Sequence, residues 1–328
     1  MARAIFPKEP GEREVRQHSF LHPLDIPAEL TIVGGNQSSS MARRLPPLFV
    51  LVVLSGASLV RAATAVEAEQ LYRAKRYAEA RTAFEQVIAA EPNNADAAYH
   101  LGDLALLRDA PDEATQWLEK ATALAPKSSP YFRSLGDAYG LSAQKAGLFS
   151  KLGLARKCQA AYEQAVALDP EDIEARYSLF SYYRQAPSFV GGGLDKARAQ
   201  ALEIQKRNNV RGTLAVVELS VAEHKFDEAF AALDDLRRHH PESLVASYQF
   251  GRAAAMSGQR LDQGAAALRQ YLAATPEEDQ PPLWAAHWRL GQILEKTGDA
   301  PGARAEYAAA LKLNPTQPQL VEAARRLK

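Results

Sequence analysis

"YAEARTAFEQVIAAEPNNADAAYHLGDLA" runs from Tyr77 to Ala105, and "PDEATQWLEKATALAPKSSPYFRSLGDAY" runs from Pro111 to Tyr139. Laid one over the other, they agree at a spacing of 34: Ala80 with Ala114, Phe84 with Leu118, Pro92 with Pro126, and Leu101-Gly102 with Leu135-Gly136. The same grammar returns in "KCQAAYEQAVALDPEDIEARYSLFSYY" from Lys157, "FDEAFAALDDLRRHHPESLVASYQFGRAA" from Phe226 and "PGARAEYAAALKLNPTQ" from Pro301. A period near 34 residues, with helix signals in each half, marks a solenoid of helical hairpins.

Each recurring residue type has a packing reason. A small side chain at Ala80, Ala114, Ala229 and Ala303 lets one helix approach its partner closely, and Gly102, Gly136, Gly251 and Gly291 do the same from the other helix. Phe84, Leu118, Leu233 and Tyr307 lie four residues, about one turn, past each alanine and fill the space between helices. Pro92, Pro126, Pro170, Pro241, Pro276 and Pro315 end the second helix and open the turn into the next repeat. Seven repeats can be counted, the first short at its front. "PQLVEAARRLK" at residues 318–328 reads as a capping helix whose charged face closes the stack against water.

The set resembles the tetratricopeptide repeat over essentially all of Val66 to Gln317. That resemblance implies an all-α, right-handed superhelical solenoid of about seven helix-turn-helix repeats, with the first helix of each pair lining a concave groove. Three places depart from the pattern. Pro126 and Pro170 are 44 residues apart, so the third repeat carries ten extra in "LSAQKAGLFSKLGLARK". "RQAPSFVGGGLDKA" stretches the fourth, whose closing proline is replaced by Arg207-Asn208-Asn209, and "EEDQPPLW" lengthens the entry to the seventh. Repeats three and four both read as lengthened in the connection within the hairpin, which would bring the two insertions near each other. The whole is similar to exported bacterial tetratricopeptide proteins of unassigned role that carry an "AP-x-x-VGG" loop.

Ahead of the repeats stands "MARRLPPLFVLVVLSGASLVRAATA", residues 41–65. Arg43 and Arg44, the 13-residue apolar run from Leu48 to Val60, and Ala63-Thr64-Ala65 make up the three parts of a secretory signal. A permanent spanning helix needs about 20 apolar residues, so the run points to cleavage and export, a periplasmic location and no stable membrane anchor afterwards. A membrane tether through an uncleaved signal is the alternative. Residues 1–40 show no helical or alternating pattern, and they read as a preface from a start codon assigned upstream of Met41. The segment up to Ala65 holds seven Lys/Arg and five Asp/Glu, leaving 32 basic and 34 acidic residues, net −2. That balance gives no footing for phosphate-driven nucleic-acid binding. One cysteine, Cys158, allows no intramolecular disulfide, and its place in the register of Ala80 and Ala114 makes it a small buried filler.

The motifs of chemistry are weak. "FVGGGLDKARAQ" opens a helix with glycines but lacks the Gly-Lys-Ser/Thr ending of a P-loop, and Asp195 would repel a phosphate there. His239-His240 point about 100° apart on a helix and have no third ligand close in sequence. Neither a catalytic constellation nor a cofactor or metal site is expected. What remains is the groove. Residues two before and two after each Leu-Gly-type pair would face it: Tyr99 and Asp103, Arg133 and Asp137, Tyr177 and Ser181 with Arg184, Leu214 and Glu218, Tyr248 and Arg252, Trp288 and Gln292. Aromatics interleaved with mixed charges suit a protein or peptide partner. The expected function is an exported protein-interaction scaffold. The alternatives are a groove receptor for a sugar or short peptide and, in second place, an enzyme built on the insertions of repeats three and four. Chaperone-binding members of the family clamp a terminal carboxylate with Lys and Asn; Tyr, Arg, Asp and Ser stand in the comparable places here, so that role is not carried over.

Overall fold

The computed structural model of the chain describes residues 64–277 and 280–326. The extension at residues 1–40 and most of the expected signal at 41–65 lie outside the described residues. Fifteen α-helices follow one another, with no strand among the described residues. They pair in chain order as α1 (Ala65–Arg73) with α2 (Tyr77–Ala90), α3 (Ala95–Leu107) with α4 (Pro111–Leu124), and α5 (Ser129–Lys145) with α6 (Leu148–Leu168). Next come α7 (Ile173–Gln185) with α8 (Leu194–Arg207), α9 (Asn209–Ala222) with α10 (Phe226–His239), α11 (Leu244–Ser257) with α12 (Leu261–Leu272), and α13 (Leu283–Lys296) with α14 (Ala300–Leu313). These seven hairpins form a right-handed superhelical solenoid. A last helix, α15 (Pro318–Arg326), lays Leu320 and Ala323 on its end.

Local sequence explains where the helices begin and end. Side chains of Asn94, Asp172, Asn208, Ser243 and Asp299 cap α3, α7, α9, α11 and α14 by accepting from backbone N–H groups three residues on. Five of the second helices (α2, α4, α6, α10 and α14) stop two residues before a proline. Within four hairpins a residue two places before the second helix takes positive φ: Lys75, Asp109, His224 and Gly298. That left-handed residue makes the tight reversal between the helices.

The helix crossings depend on the missing side chains. A Cβ placed on Gly136 would sit 2.4 Å from the Tyr162 ring, and one on Gly291 would sit 2.5 Å from the Tyr307 ring. Gly102 meets Leu118 and Gly251 meets Leu268 in the same way. Opposite them Ala80, Ala114, Ala229 and Ala303 are fully buried. Cys158 is 2% exposed in the equivalent place on α6. The core is a run of such seams along the stack, so each repeat depends chiefly on its neighbours.

The extra length of the third repeat is helical, which corrects its reading as a longer connection. Helix α5 has 17 residues and α6 has 21, against 13 or 14 in most other repeats, and the surplus lies at the ends joined by the turn. In the fourth repeat the insertion is a loop, with a 3-10 turn at Ser188–Val190. The two insertions do touch. The single proton of the Tyr182 hydroxyl is shared between the carbonyls of Ala155 on α6 and Val190 in the loop, at 2.9 and 2.6 Å. No described helix is long and apolar enough to cross a membrane.

Candidate partner-binding groove

The first helices of the pairs carry every residue of the expected groove. The structure divides those residues in two. On repeats two to four, Tyr99, Asp103, Arg133, Asp137, Tyr177 and Ser181 are partly exposed, while the Arg184 side chain is 7% exposed. On repeats five to seven, Glu218, Tyr248, Arg252 and Trp288 are 4–7% exposed, Leu214 packs partly buried against the core, and Gln292 keeps partial exposure. Tyr248 and Trp288 are therefore core residues with little surface to offer.

Polar bonds hold the exposed half in shape. Tyr99 stacks on Tyr131 at 4.7 Å, and the Tyr131 hydroxyl donates to Asp96. The Tyr72 hydroxyl donates to Asp103 across the first two repeats. Tyr162 donates to Asp137 at 2.7 Å, and Arg133 lies 3.7 Å from the same carboxylate. Burial and adjacent carboxylates push the Tyr72 and Tyr131 phenols well above their ordinary range, so both remain neutral donors at neutral pH. Beside them His100 stacks on Phe84 at 4.7 Å, with Nε2 2.8 Å from Glu69. Burial depresses its pKa despite that carboxylate.

Repeats four and five meet through a second network. Tyr177 donates to Glu218 at 3.2 Å, while the Arg211 guanidinium lies 4.6 Å over the Tyr177 ring and pairs with both oxygens of Glu174. Arg184 Nε lies 3.8 Å from Glu218, with both side chains under 10% exposed. In the buried half, Tyr248 tilts against Tyr271, Arg252 donates to Gln249, Trp288 stacks on Trp284, and Arg289 bridges the Trp288 face and Gln292.

Sequence reasoning missed Asp96, Glu174 and Arg211, each three residues before a marked position (Tyr99, Tyr177 and Leu214). Extending the strip by one helical turn would have included all three. It also missed Tyr131 and His100, which sit beside marked residues on the same helices.

The glycine loop and the histidine pair bond within their own elements. In the glycine loop the amides of Gly191, Gly192 and Gly193 all donate to carbonyls of the same hairpin, so none points at an anion. His239 Nδ1 lies 2.9 Å from the Asp235 carbonyl on its own helix. No metal-ligand cluster exists among the described residues.

Stacked helical hairpins with a polar inner strip define a class, the helical-repeat scaffolds. Within it, tetratricopeptide repeat profiles match residues 71–137, 140–172 and 254–318, and the chain belongs to the tetratricopeptide repeat family. No curated protein matches it by sequence. In shape it is similar to a tetratricopeptide repeat protein from Parabacteroides merdae, with a TM-score of 0.61 and 15% identity over 80% of this chain and 96% of that one. It is also similar to the Cut9–Hcn1 hetero-tetramer of the APC/C, at 0.57 and 12% identity over 80% of this chain and 48% of that one. Yeast Tom70 matches at 0.57 and 15% identity, over 77% of this chain and 51% of that one. These likenesses concern the fold, which is in general a scaffold for protein interaction and typically carries no enzyme activity.

Proposed function

We propose that the chain is an exported scaffold that binds an extended segment of a partner protein along the inner faces of repeats two to four. The observation that carries this reading is the strip Tyr99, Asp103, Arg133, Asp137, Tyr177 and Ser181. It is partly exposed on three consecutive first helices and held in place by hydrogen bonds at Asp103, Asp137 and Tyr177. The partly exposed rims of Tyr99 and Tyr177 supply contact area, and Arg133 can donate to carbonyl or acidic groups of the segment. Glu218, Arg184, Tyr248, Arg252 and Trp288 form the packed continuation of the strip, and Gln292 stays partly exposed at its end.

A photo-crosslinking residue at Arg133 should capture a partner from envelope fractions, while the same residue at Gln164, exposed on α6, should not. Equal capture at both places would remove the groove from consideration. Export rests on the basic start, the apolar run and Ala63-Thr64-Ala65. Amino-terminal sequencing of protein from the native host should begin at Val66, and abundant peptides from residues 1–40 would overturn it. Cleavage there would also remove Thr64, which caps α1 by a reciprocal pair of bonds with Glu67.

A further inference from the structure

Most turns within the hairpins are tipped by polar residues: Lys75-Arg76, Arg108-Asp109, His224-Lys225 and Gly298-Asp299. The two lengthened hairpins break this rule. Repeat three carries Phe149 at its tip with 91% of its surface in water, and repeat four carries Phe189 at 63%. Nothing inside the fold rewards either ring, since an apolar side chain left in water contributes none of its burial free energy.

Geometry brings these rings to one edge of the molecule. Helix α5 is about four residues longer than usual and α6 about seven, so at 1.5 Å per residue their shared tip stands roughly 6–10 Å beyond the neighbouring turns. Val190 meets α6 at Ala155, through the Tyr182 hydroxyl that binds both carbonyls. Phe189 therefore adjoins α6 at Ala155, with Phe149 about 9 Å further along the helix towards its tip. This edge is formed by the turns and is separate from the groove.

Along α6 beside Phe149 the chain charge has one sign, whereas exposed Asp195 follows the loop that carries Phe189. Between Asp137 and Glu163 there is no acidic residue, and Lys145, Lys151, Arg156 and Lys157 are all basic. Asp109 holds Lys145 at 2.7 Å and Glu119 lies 3.8 Å from Lys157. Lys151 and Arg156 make no ion pair among the described residues. Lys196, exposed beside the glycine loop, adds a further cation whose ammonium donates to the Gly191 carbonyl.

We infer that this edge docks the protein, peripherally and reversibly, on an anionic lipid bilayer. Projecting aromatic rings flanked by uncompensated cations match an interface in which rings enter the acyl boundary while Lys and Arg stay among the headgroups. Other occupants fit worse. A second copy would set basic tip against basic tip, and three unpaired cations are too few for phosphate-driven binding of a nucleic acid. A protein partner would need a pocket for each protruding ring, with no groove of this molecule helping to enclose it.

The test uses the full chain with Ser150→Cys, an exposed position beside Phe149, labelled with an environment-sensitive dye. The native Cys158 is buried and is replaced by Ala in all variants. The probe is vesicles of equal parts phosphatidylcholine and phosphatidylglycerol, with pure phosphatidylcholine as control. A local dye reports this edge and ignores any binding through the apolar run at residues 48–60. The expected result is a blue-shifted emission on the anionic vesicles only, reversed by high salt and lost in Phe149→Ala. Lys151→Gln with Arg156→Gln should weaken the response about thirtyfold, as two cations each worth about 1 kcal/mol at an anionic surface would give. A dye that stays in water on anionic vesicles, or that shifts equally in all variants, overturns the inference. A shift seen only on adding a protein fraction would assign the edge to a protein partner and overturn it as well.

Discussion

Tyr177 in repeat four and Trp288 in repeat seven stand at the same register of their first helices, yet Tyr177 is partly exposed while Trp288 is 5% exposed. The difference comes from the neighbours. Helices α11 and α13 lie directly against each other, whereas α3, α5 and α7 touch one another sparingly. Small residues permit the close approach: Ala253, Ala254 and Ala255 on α11 and Ala285 and Ala286 on α13 are all buried. Register decides which face of a helix a residue takes. For Tyr177 and Trp288, the spacing to the neighbouring first helix decides how far water reaches.

The largest expected effect tests that division. Trp288→Ala removes a buried ring and should cost about 3–5 kcal/mol by urea denaturation. Tyr177→Ala gives up one hydrogen bond and the Arg211 contact over its ring, and should cost about 1–2 kcal/mol. In partner binding the order should reverse, with Tyr177→Ala weakening capture by the Arg133 crosslinker more strongly than Trp288→Ala. Equal destabilisation by the two variants would break the comparison. Hydrogen exchange in Trp288→Ala should show repeats six and seven opening first, since a repeat array loses stability locally.

A smaller effect asks whether the lengthened third repeat crosses its helices as the regular seventh does. Gly136 and Gly291 face Tyr162 and Tyr307 at nearly the same distance, so an added methyl group must push the same ring aside in both. Gly136→Ala and Gly291→Ala should each cost about 1–3 kcal/mol, read from the urea midpoint. A silent Gly136→Ala would mean that the long hairpin adjusts where the short one cannot.

Much of this was legible in the sequence, and the rest was hidden for identifiable reasons. The alanine and glycine of each crossing recur at a fixed spacing because every hairpin solves the same contact, so the fold could be read from the period. Exposure could not, because it depends on the distance between helices about forty residues apart, which no local pattern records. The Pro126–Pro170 spacing counts ten extra residues in repeat three but does not say whether they extend the helices or the connection, and the stretch contains Gly147 and Gly153. Only Gly147 lies outside a helix; Gly153 sits inside α6 with open space beside it, a tolerated cost of about 1 kcal/mol. Asp96, Glu174 and Arg211 lie one helical turn before Tyr99, Tyr177 and Leu214, outside the two positions flanking each Leu-Gly-type pair.

Cys158 gives the smallest effect and the sharpest pH signature. It takes the alanine register of the third repeat, 2% exposed, with Sγ 3.4 Å from where a Cβ on Gly140 would lie. Cys158→Ala should therefore be nearly silent at pH 7, while Cys158→Phe should cost about 1–3 kcal/mol through overpacking. A thiol reagent should label the native protein slowly and the urea-unfolded protein fast; equal rates would mean that α6 is packed in another register. Burial pushes the thiol's pKa up, because the thiolate would have to form away from water. The folded state thus keeps the proton that the unfolded chain releases above its ordinary pKa of about 8.5. The stability owed to that neutral thiol is complete below the unfolded value and drains away as the pH climbs above it. Alanine has no proton to lose. Measured against wild type, Cys158→Ala should gain about 1.4 kcal/mol between pH 7 and pH 9.5, one unit past the unfolded pKa. A difference that stays flat across this range would place the sulfur in contact with water, and the seam between α5 and α6 would then have to be open.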